Sequence, residues 1–430
     1  MHFLEQTNTW HQIESSSSNE VHPPCPRSLH ASVALENNFY IFGGYDGTNR
    51  RNDFYCFNFQ TNSWSELTPN GNTQPPSPRD RHTAIVHNRC IYIFGGYDGY
   101  NRVDDFHRYC IQSGTWNLME PLNPEAGPSP RHSHSAVVYE NHMYVFGGYD
   151  GHYRNDLYKY NFSTNTWQEI RRDGMWPKSR YRTSATVLDN RMYLFGGHDG
   201  ARQLNDFYYF NFQTETWTLI DLSGMLVPSP RDSHVLLTHG NSIYLFGGCT
   251  GNPRSDFYQF KVDEDLWCAV QSKSVQQVSG NHGMVNSIQN EFEARSHKAP
   301  SSRFCHAGQV MKNRLYIFGG YDGVQRLNDF YYYVLSEQKN PELPKSTLLS
   351  DLKSWINNQD HSDFTFVLEP DHKQVYAHKL ILSRCPYFAT MFQKTPLHEK
   401  MNKAGAQLKL EKIRYEVLLE VLTYLYTDEC

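Results

Sequence analysis

Two sets of arginines recur along this chain at near-constant spacing. One comprises Arg50, Arg102, Arg154, Arg202, Arg254 and Arg326, the other Arg27, Arg79, Arg131, Arg180, Arg231 and Arg303. A guanidinium is a planar fork of donors that grips carboxylate or phosphate oxygens in pairs. With 40 Lys plus Arg against 45 Asp plus Glu there is no overall basic field for nucleic acid, and an acidic protein surface is the natural counterpart. Each arginine of the first set is followed within a few residues by an aspartate: Asp53, Asp105, Asp156, Asp206, Asp256 or Asp329. Internal pairing with these carboxylates is the competing use. It outweighs recognition for both sets, because identity in every repeat suits a repeated structural task. Tyr100, His152, Tyr153, His198 and Ala201 differ from repeat to repeat beside the first set, and exposed aromatics next to arginine are the usual anchors of protein interfaces.

His30, His82, His134, His234 and His306 lie three residues after arginines of the second set, with Thr183 in the remaining place. A metal needs ligands that converge to within about 2 Å of one ion, whereas equivalent positions of a ring of repeats stay apart. These histidines are therefore expected in the core. No nucleophile elbow, phosphate loop, H-E-x-x-H or dinucleotide fingerprint occurs, so no catalytic residue, metal or cofactor is expected. The nine cysteines form no C-x-x-C pair and read as reduced thiols. Neither a basic-then-apolar leader nor a run of about 18 apolar residues is visible. A soluble, cytoplasmic chain is the expectation.

The elements that must position these groups are announced by Gly-Gly doublets at 43/44, 95/96, 147/148, 196/197, 247/248 and 319/320. Around each, period-two patterning and turn residues predict four short strands, a to d. Trp64, Trp116, Trp167, Trp217 and Trp267 mark the fourth strand of five units, and the sixth has none. Thr7-Asn8-Thr9-Trp10 repeats the pattern of Thr164-Asn165-Thr166-Trp167, so residues 7–14 are expected to supply the missing strand and close a ring. Alternating strand directions put the minimal a–b and c–d turns on one face and every long connection on the other. Both arginine sets and the Ser-, Gln- and Asn-rich insertion between Trp267 and Arg303 fall on that second face, the candidate binding surface.

These units resemble the Kelch family of β-propellers in the Gly-Gly doublet, the Tyr-Asp-Gly that follows, the Asp-Phe-Tyr strand and the spaced Trp. The resemblance implies a six-bladed all-β propeller over residues 1–335. His198-Asp199-Gly200 and Cys249-Thr250-Gly251 depart from it in loops. The substrate-binding candidates are Arg50, Tyr100, Arg102, His152, Tyr153, Arg154, His198, Arg202, Arg254 and Arg326.

A polar stretch with Pro341 and Pro344 reads as a linker over 336–347, and mixed helix and strand patterning starts near 348. Residues 348–430 resemble a BTB/POZ domain in Asp363-Phe364, Ala377-His378-Lys379, Ser383-Arg384-Cys385-Pro386-Tyr387-Phe388, Met391-Phe392 and Tyr424-Leu425-Tyr426-Thr427. The resemblance implies a partial α/β domain, incomplete at its C-terminus, with Asp363 and His378 in a dimer pocket and Leu397 and Glu399 contacting cullin-3. Propeller first and BTB second is similar to the leucine-zipper-like transcriptional regulator family. That likeness implies a cullin-3 ubiquitin-ligase adaptor for Ras-type GTPases, cytoplasmic with endomembrane association and dimerising through its BTB domain. A cytoskeletal or membrane-trafficking scaffold is the alternative.

Overall fold

The computed structural model describes residues 8–14, 22–271, 299–336, 348–393 and 406–428. The chain divides into two compact units, Met1–Glu337 and Gln338–Cys430.

The first unit holds six four-stranded antiparallel sheets. In the first blade β2 (Ala31–Leu35), β3 (Asn38–Tyr45), β4 (Arg50–Asn58) and β5 (Ser63–Glu66) pair in chain order. The sixth blade joins Ala307–Met311, Arg314–Tyr321 and Arg326–Val334 to β1 (Trp10–Gln12), with Trp10 opposite Tyr333. The a strands of adjacent blades contact one another all the way round, so they line the axis. Pairing the start of the chain with its sixth repeat leaves no exposed sheet edge between first and last blades.

The core lies between blades, and the tryptophans fill it. Trp116 packs on Phe42 and Phe54 of the preceding blade, Trp167 on Phe94 and Phe106, and Trp267 on Phe195 and Phe207. Trp64 closes on Phe318 and Phe330, and Trp10 on Phe246 and Phe257. The histidines act at the same seams: His30, His82, His134, His234 and His306 are buried edge-on against Phe318, Phe42, Phe94, Phe195 and Phe246. Burial holds the rings of His30, His82 and His234 neutral, down to about 3.

In the second unit Phe364–Leu368 pairs antiparallel with Lys373–Ala377 and parallel with Ala406–Leu410. Helices α1 (Leu348–Ser354), α2 (Lys379–Leu382), α3 (Pro386–Gln393) and α4 (Tyr415–Thr427) complete it. The core gathers Phe364, Phe366, Val375, Leu382, Phe392, Leu418 and Leu422. The apolar positions of α4 divide: Leu418, Leu422 and Leu425 are buried, whereas Val417 and Val421 are exposed beside Tyr387 and Ile413.

Candidate functional site

The second arginine set is removed from any recognition role by its surroundings. Arg27, Arg79, Arg131, Arg180, Arg231 and Arg303 are fully buried. Each forks onto one aspartate of its own blade, in order Asp53, Asp105, Asp156, Asp206, Asp256 and Asp329, at 2.5–2.7 Å. This corrects the expected pairing: the aspartates serve the d–a arginines, and of the b–c arginines that precede them Arg254 alone also reaches its aspartate, at 3.5 Å. Each guanidinium also donates to the carbonyl of the first glycine of a doublet, as Arg131 does to Gly147 at 2.9 Å. The doublet is needed there because Gly43 and Gly44 take φ of 62° and 96°, and a Cβ would lie 2.9 Å from the Arg79 carbonyl oxygen and 2.8 Å from that of Ser28. One arginine thus ties the ends of strands a, b and c together, with four hydrogen bonds from Arg180 and five from each of the others.

Inside this collar lies a feature the sequence reading passed over. Leu29, Arg81, Ser133, Arg182, Ser233 and Cys305 all adopt left-handed backbone, with φ between 53° and 63°. Their amides form a closed hoop: Arg81 donates to Leu29, Ser133 to Arg81, Arg182 to Ser133, Ser233 to Arg182, Cys305 to Ser233 and Leu29 to Cys305. Six hydrogen bonds of 2.9–3.0 Å offset the cost of holding non-glycine residues there. The hoop rings a cavity of about 130 Å³ on the axis, and Arg81 and Arg182 are the charged side chains at it. Asp80, buried, takes Arg81 at 2.7 Å and sits 3.1 Å from Arg50, and Arg182 lies 3.8 Å from Asp232. Burial raises the Asp80 carboxyl even so. The available signal was variation between arginine and histidine in the frame Arg-x-y-His, the same test that picked out Tyr100 and Tyr153.

The first arginine set is split by the structure. Arg50 stacks over Tyr97 of the next blade at 4.6 Å, Arg102 over Tyr149 at 5.0 Å and Arg326 over Tyr45 at 4.6 Å. These three bridge successive blades across the sixth, first, second and third units. The series then stops, because His198 and Cys249 stand where the next tyrosines would be. Arg154 instead turns back to Asp150 at 2.6 Å in its own loop. Burial pushes the Asp150 carboxyl up, but hydrogen bonds from Arg154, Ser129 and the His152 amide prevail and hold it well below the usual range. Arg202 and His152 are exposed, and Arg254 reaches Asp256 only at 3.5 Å. Tyr153 joins Tyr149 and Tyr181 in an aromatic cluster with centroids 5.1–6.3 Å apart, Tyr181 touches His198, and Arg182 lies over Tyr181 at 4.8 Å. Tyr100 projects alone, 91% exposed. The rim is therefore stapled on one side and open, aromatic and cationic on the other.

This collar, hoop and six-fold seam coincide with a family model. The KLHDC2/KLHL20/DRC7 Kelch-repeats domain matches residues 1–138 and 119–292, and a Kelch motif matches 302–339. The chain belongs to the Kelch-repeat family. A BTB/POZ domain model matches 352–430. The leucine-zipper-like transcriptional regulator 1 homolog of Drosophila melanogaster is 36% identical over 157 residues, 34% of this chain and 16% of that protein. An N-(sulfonatooxy)prop-2-enimidothioate sulfolyase of Thlaspi arvense is 34% identical over 32% of this chain and 39% of its own length. Kelch domain-containing protein 10 of Xenopus tropicalis is 30% identical over 38% and 40% respectively. The chain thus spans less than half the length of these curated relatives. The chain carries Kelch repeats and a BTB/POZ domain.

In the BTB domain Asp363 and His378 both lie at the start of α2. Asp363 accepts the Lys379 amide at 2.8 Å, capping α2, and His378 meets the Tyr426 hydroxyl at 2.7 Å beneath the Trp355 ring. Burial pushes that hydroxyl up to about 12. Leu397 and Glu399 lie outside the described residues, as do the insertion at 272–298 and the linker at 337–347. No described helix is long and apolar enough to cross a membrane.

Proposed function

We propose that this protein is a substrate-recognition adaptor with no catalysis of its own: the Kelch propeller holds a substrate protein and the BTB domain recruits cullin-3 ubiquitin ligase. The observation that carries the reading is the asymmetric rim. Three of the six loop arginines are engaged as bridges between blades, while the sector of the third to fifth blades offers Arg154, Arg202, Arg254, Tyr153, His152 and His198. Aromatic anchors next to guanidinium forks suit an acidic protein surface. Ras-type GTPases are the substrate class we infer, in line with the likeness to the leucine-zipper-like transcriptional regulator 1 homolog. Leu397 and Glu399 would supply a hydrophobic knob and a carboxylate to cullin-3, and Asp363 with His378 would line the dimer pocket.

The test is calorimetric titration of the full chain with the cullin-3 N-terminal domain, repeated with Leu397→Ala and Glu399→Ala. Binding that either change weakens tenfold or more supports the adaptor. A folded chain that binds no cullin-3 overturns the ligase role and leaves a scaffold.

A further inference from the structure

The short-turn face of the second blade carries two cysteines where four of the other blades carry polar pairs and the sixth carries Arg314 opposite Val334. In the second blade β6 (Thr83–His87), β7 (Cys90–Tyr97), β8 (Arg102–Cys110) and β9 (Thr115–Met119) form one sheet, with Cys90 directly opposite Cys110. The equivalent pair in the first blade is Asn38 and Asn58, whose side chains bond at 2.9 Å, and in the third His142 and Asn161, at 3.2 Å. In the first blade the Phe59 amide bonds the Asn37 carbonyl just beyond the pair. That flanking bond marks a non-hydrogen-bonded pair in the first blade, and the second blade keeps the same register, Gly96 opposite Val103 as Gly44 is opposite Arg51, so Cys90 and Cys110 take the position at which opposing Cα atoms approach to about 4.5 Å and two sulfurs can join.

The c-strand member of the pair also has a second task. Asn58 accepts the amides of Gln60 and Thr61, Asn161 those of Ser163 and Thr164, and Asn211 those of Gln213 and Thr214. Cys110 stands at that amide nest, where the Ser113 hydroxyl and the amides of Ser113 and Gln112 favour its thiolate. A nest that holds a carboxamide oxygen in three blades here holds sulfur, and donors aimed at a thiol favour its anion. Those donors bring the Cys110 thiol down to about 7, while burial pushes Cys90 up. Both residues are partly accessible.

We propose that Cys90 and Cys110 form a reversible thiol–disulfide site, with Cys110 as the peroxide-reactive thiolate and Cys90 as the resolving thiol. The Cys110 thiolate attacks one oxygen of hydrogen peroxide, the O–O bond breaks, and the departing hydroxide takes up the proton the thiol released on ionising, leaving water and a sulfenic acid. The Cys90 sulfur then attacks the Cys110 sulfur. The S–S bond forms, the S–O bond breaks, and the hydroxyl leaves as water with the Cys90 proton. Two thiols are oxidised and one peroxide becomes two waters. A thiol exchange reverses the bond.

The full chain is treated with hydrogen peroxide, alkylated, digested with trypsin and analysed by mass spectrometry. A peptide Cys90–Arg102 joined to Tyr109–Arg131 is expected, and it disappears on reduction. Without peroxide, Cys110 should alkylate ~3-fold faster than an ordinary exposed thiol, its larger thiolate fraction outweighing its lower nucleophilicity. In Cys90→Ser the sulfenic acid on Cys110 should persist and be trapped by dimedone. If peroxide oxidises other cysteines while Cys90 and Cys110 both remain alkylatable, or if Cys110 joins a different cysteine, the site does not exist.

Discussion

Removing the Asp156 carboxylate tests the buried collar at its most enclosed member. Arg131 and Asp156 are 1% and 7% exposed, and the guanidinium uses all its donors: Asp156 at 2.6 and 3.0 Å, the Gly147 carbonyl at 2.9 Å, and the Ser129 carbonyl and hydroxyl at 3.0 Å. Asp156→Ala leaves that cation buried without its counter-charge, which costs ~3–5 kcal/mol. At ~2 cal/mol/K per residue the propeller unit has an unfolding entropy of ~0.7 kcal/mol/K, so the melting temperature should fall by ~4–7 °C. The control is Glu36→Ala, which breaks an exposed pair with Arg89, 77% and 50% exposed, and should lose no more than ~1 kcal/mol. Scanning calorimetry at low and high salt separates them, because the buried pair is shielded from counterions. A loss for Asp156→Ala no larger than for Glu36→Ala would refute the view that the collar holds the strand ends together.

Acid should loosen the blade seams before it reaches the carboxylates. His30, His82 and His234 are held neutral to about 3 in the folded chain but take up protons near 6.5 when unfolded, so their stabilisation is present above pH 6.5 and fades as pH falls toward 3. Each contributes a slope of up to ~1.4 kcal/mol per pH unit, and urea midpoints that stay constant from pH 7 to pH 5 would contradict this. Trp10→Ala should cost ~3–5 kcal/mol and lower the cooperativity of the melt by loosening β1, whereas a full-height single transition at the original temperature would show that the seam does not depend on it. On the rim, Arg50→Ala should lower the melting temperature by ~2 °C through its lost stack on Tyr97, while Tyr153→Ala and Arg154→Ala should weaken binding of a Ras-type GTPase at least tenfold. Equal binding losses from Arg50→Ala and Arg154→Ala would remove the distinction between the stapled and open sides.

The repeat, the period-two strands and the displaced Trp10 were legible in the sequence because they are local: spacing and alternation act within a few residues, and each unit repeats the message. The hairpin of the BTB domain was legible for the same reason, but the parallel pairing of Phe364–Leu368 with Ala406–Leu410 was not, since parallel strands are joined through distant chain. The amphipathic pattern of α4 likewise marked a helix without saying that Val417 and Val421 would stay exposed.

Arginine chemistry shows where sequence stops. Twelve guanidinium groups at regular spacing are alike in a string of letters, and proximity along the chain suggested that Arg50 would take Asp53. Folding brings Arg27 to Asp53 from 26 residues away and Arg50 to Tyr97 in the next blade. Composition and repeat determined that a ring of blades would form and that arginine would crowd its long-loop face. Only the tertiary structure decided which arginines were buried as ties, which bridged blades and which were left open, because a guanidinium is assigned by the carboxylate or ring that packing brings within reach, and that partner is set by distance in space.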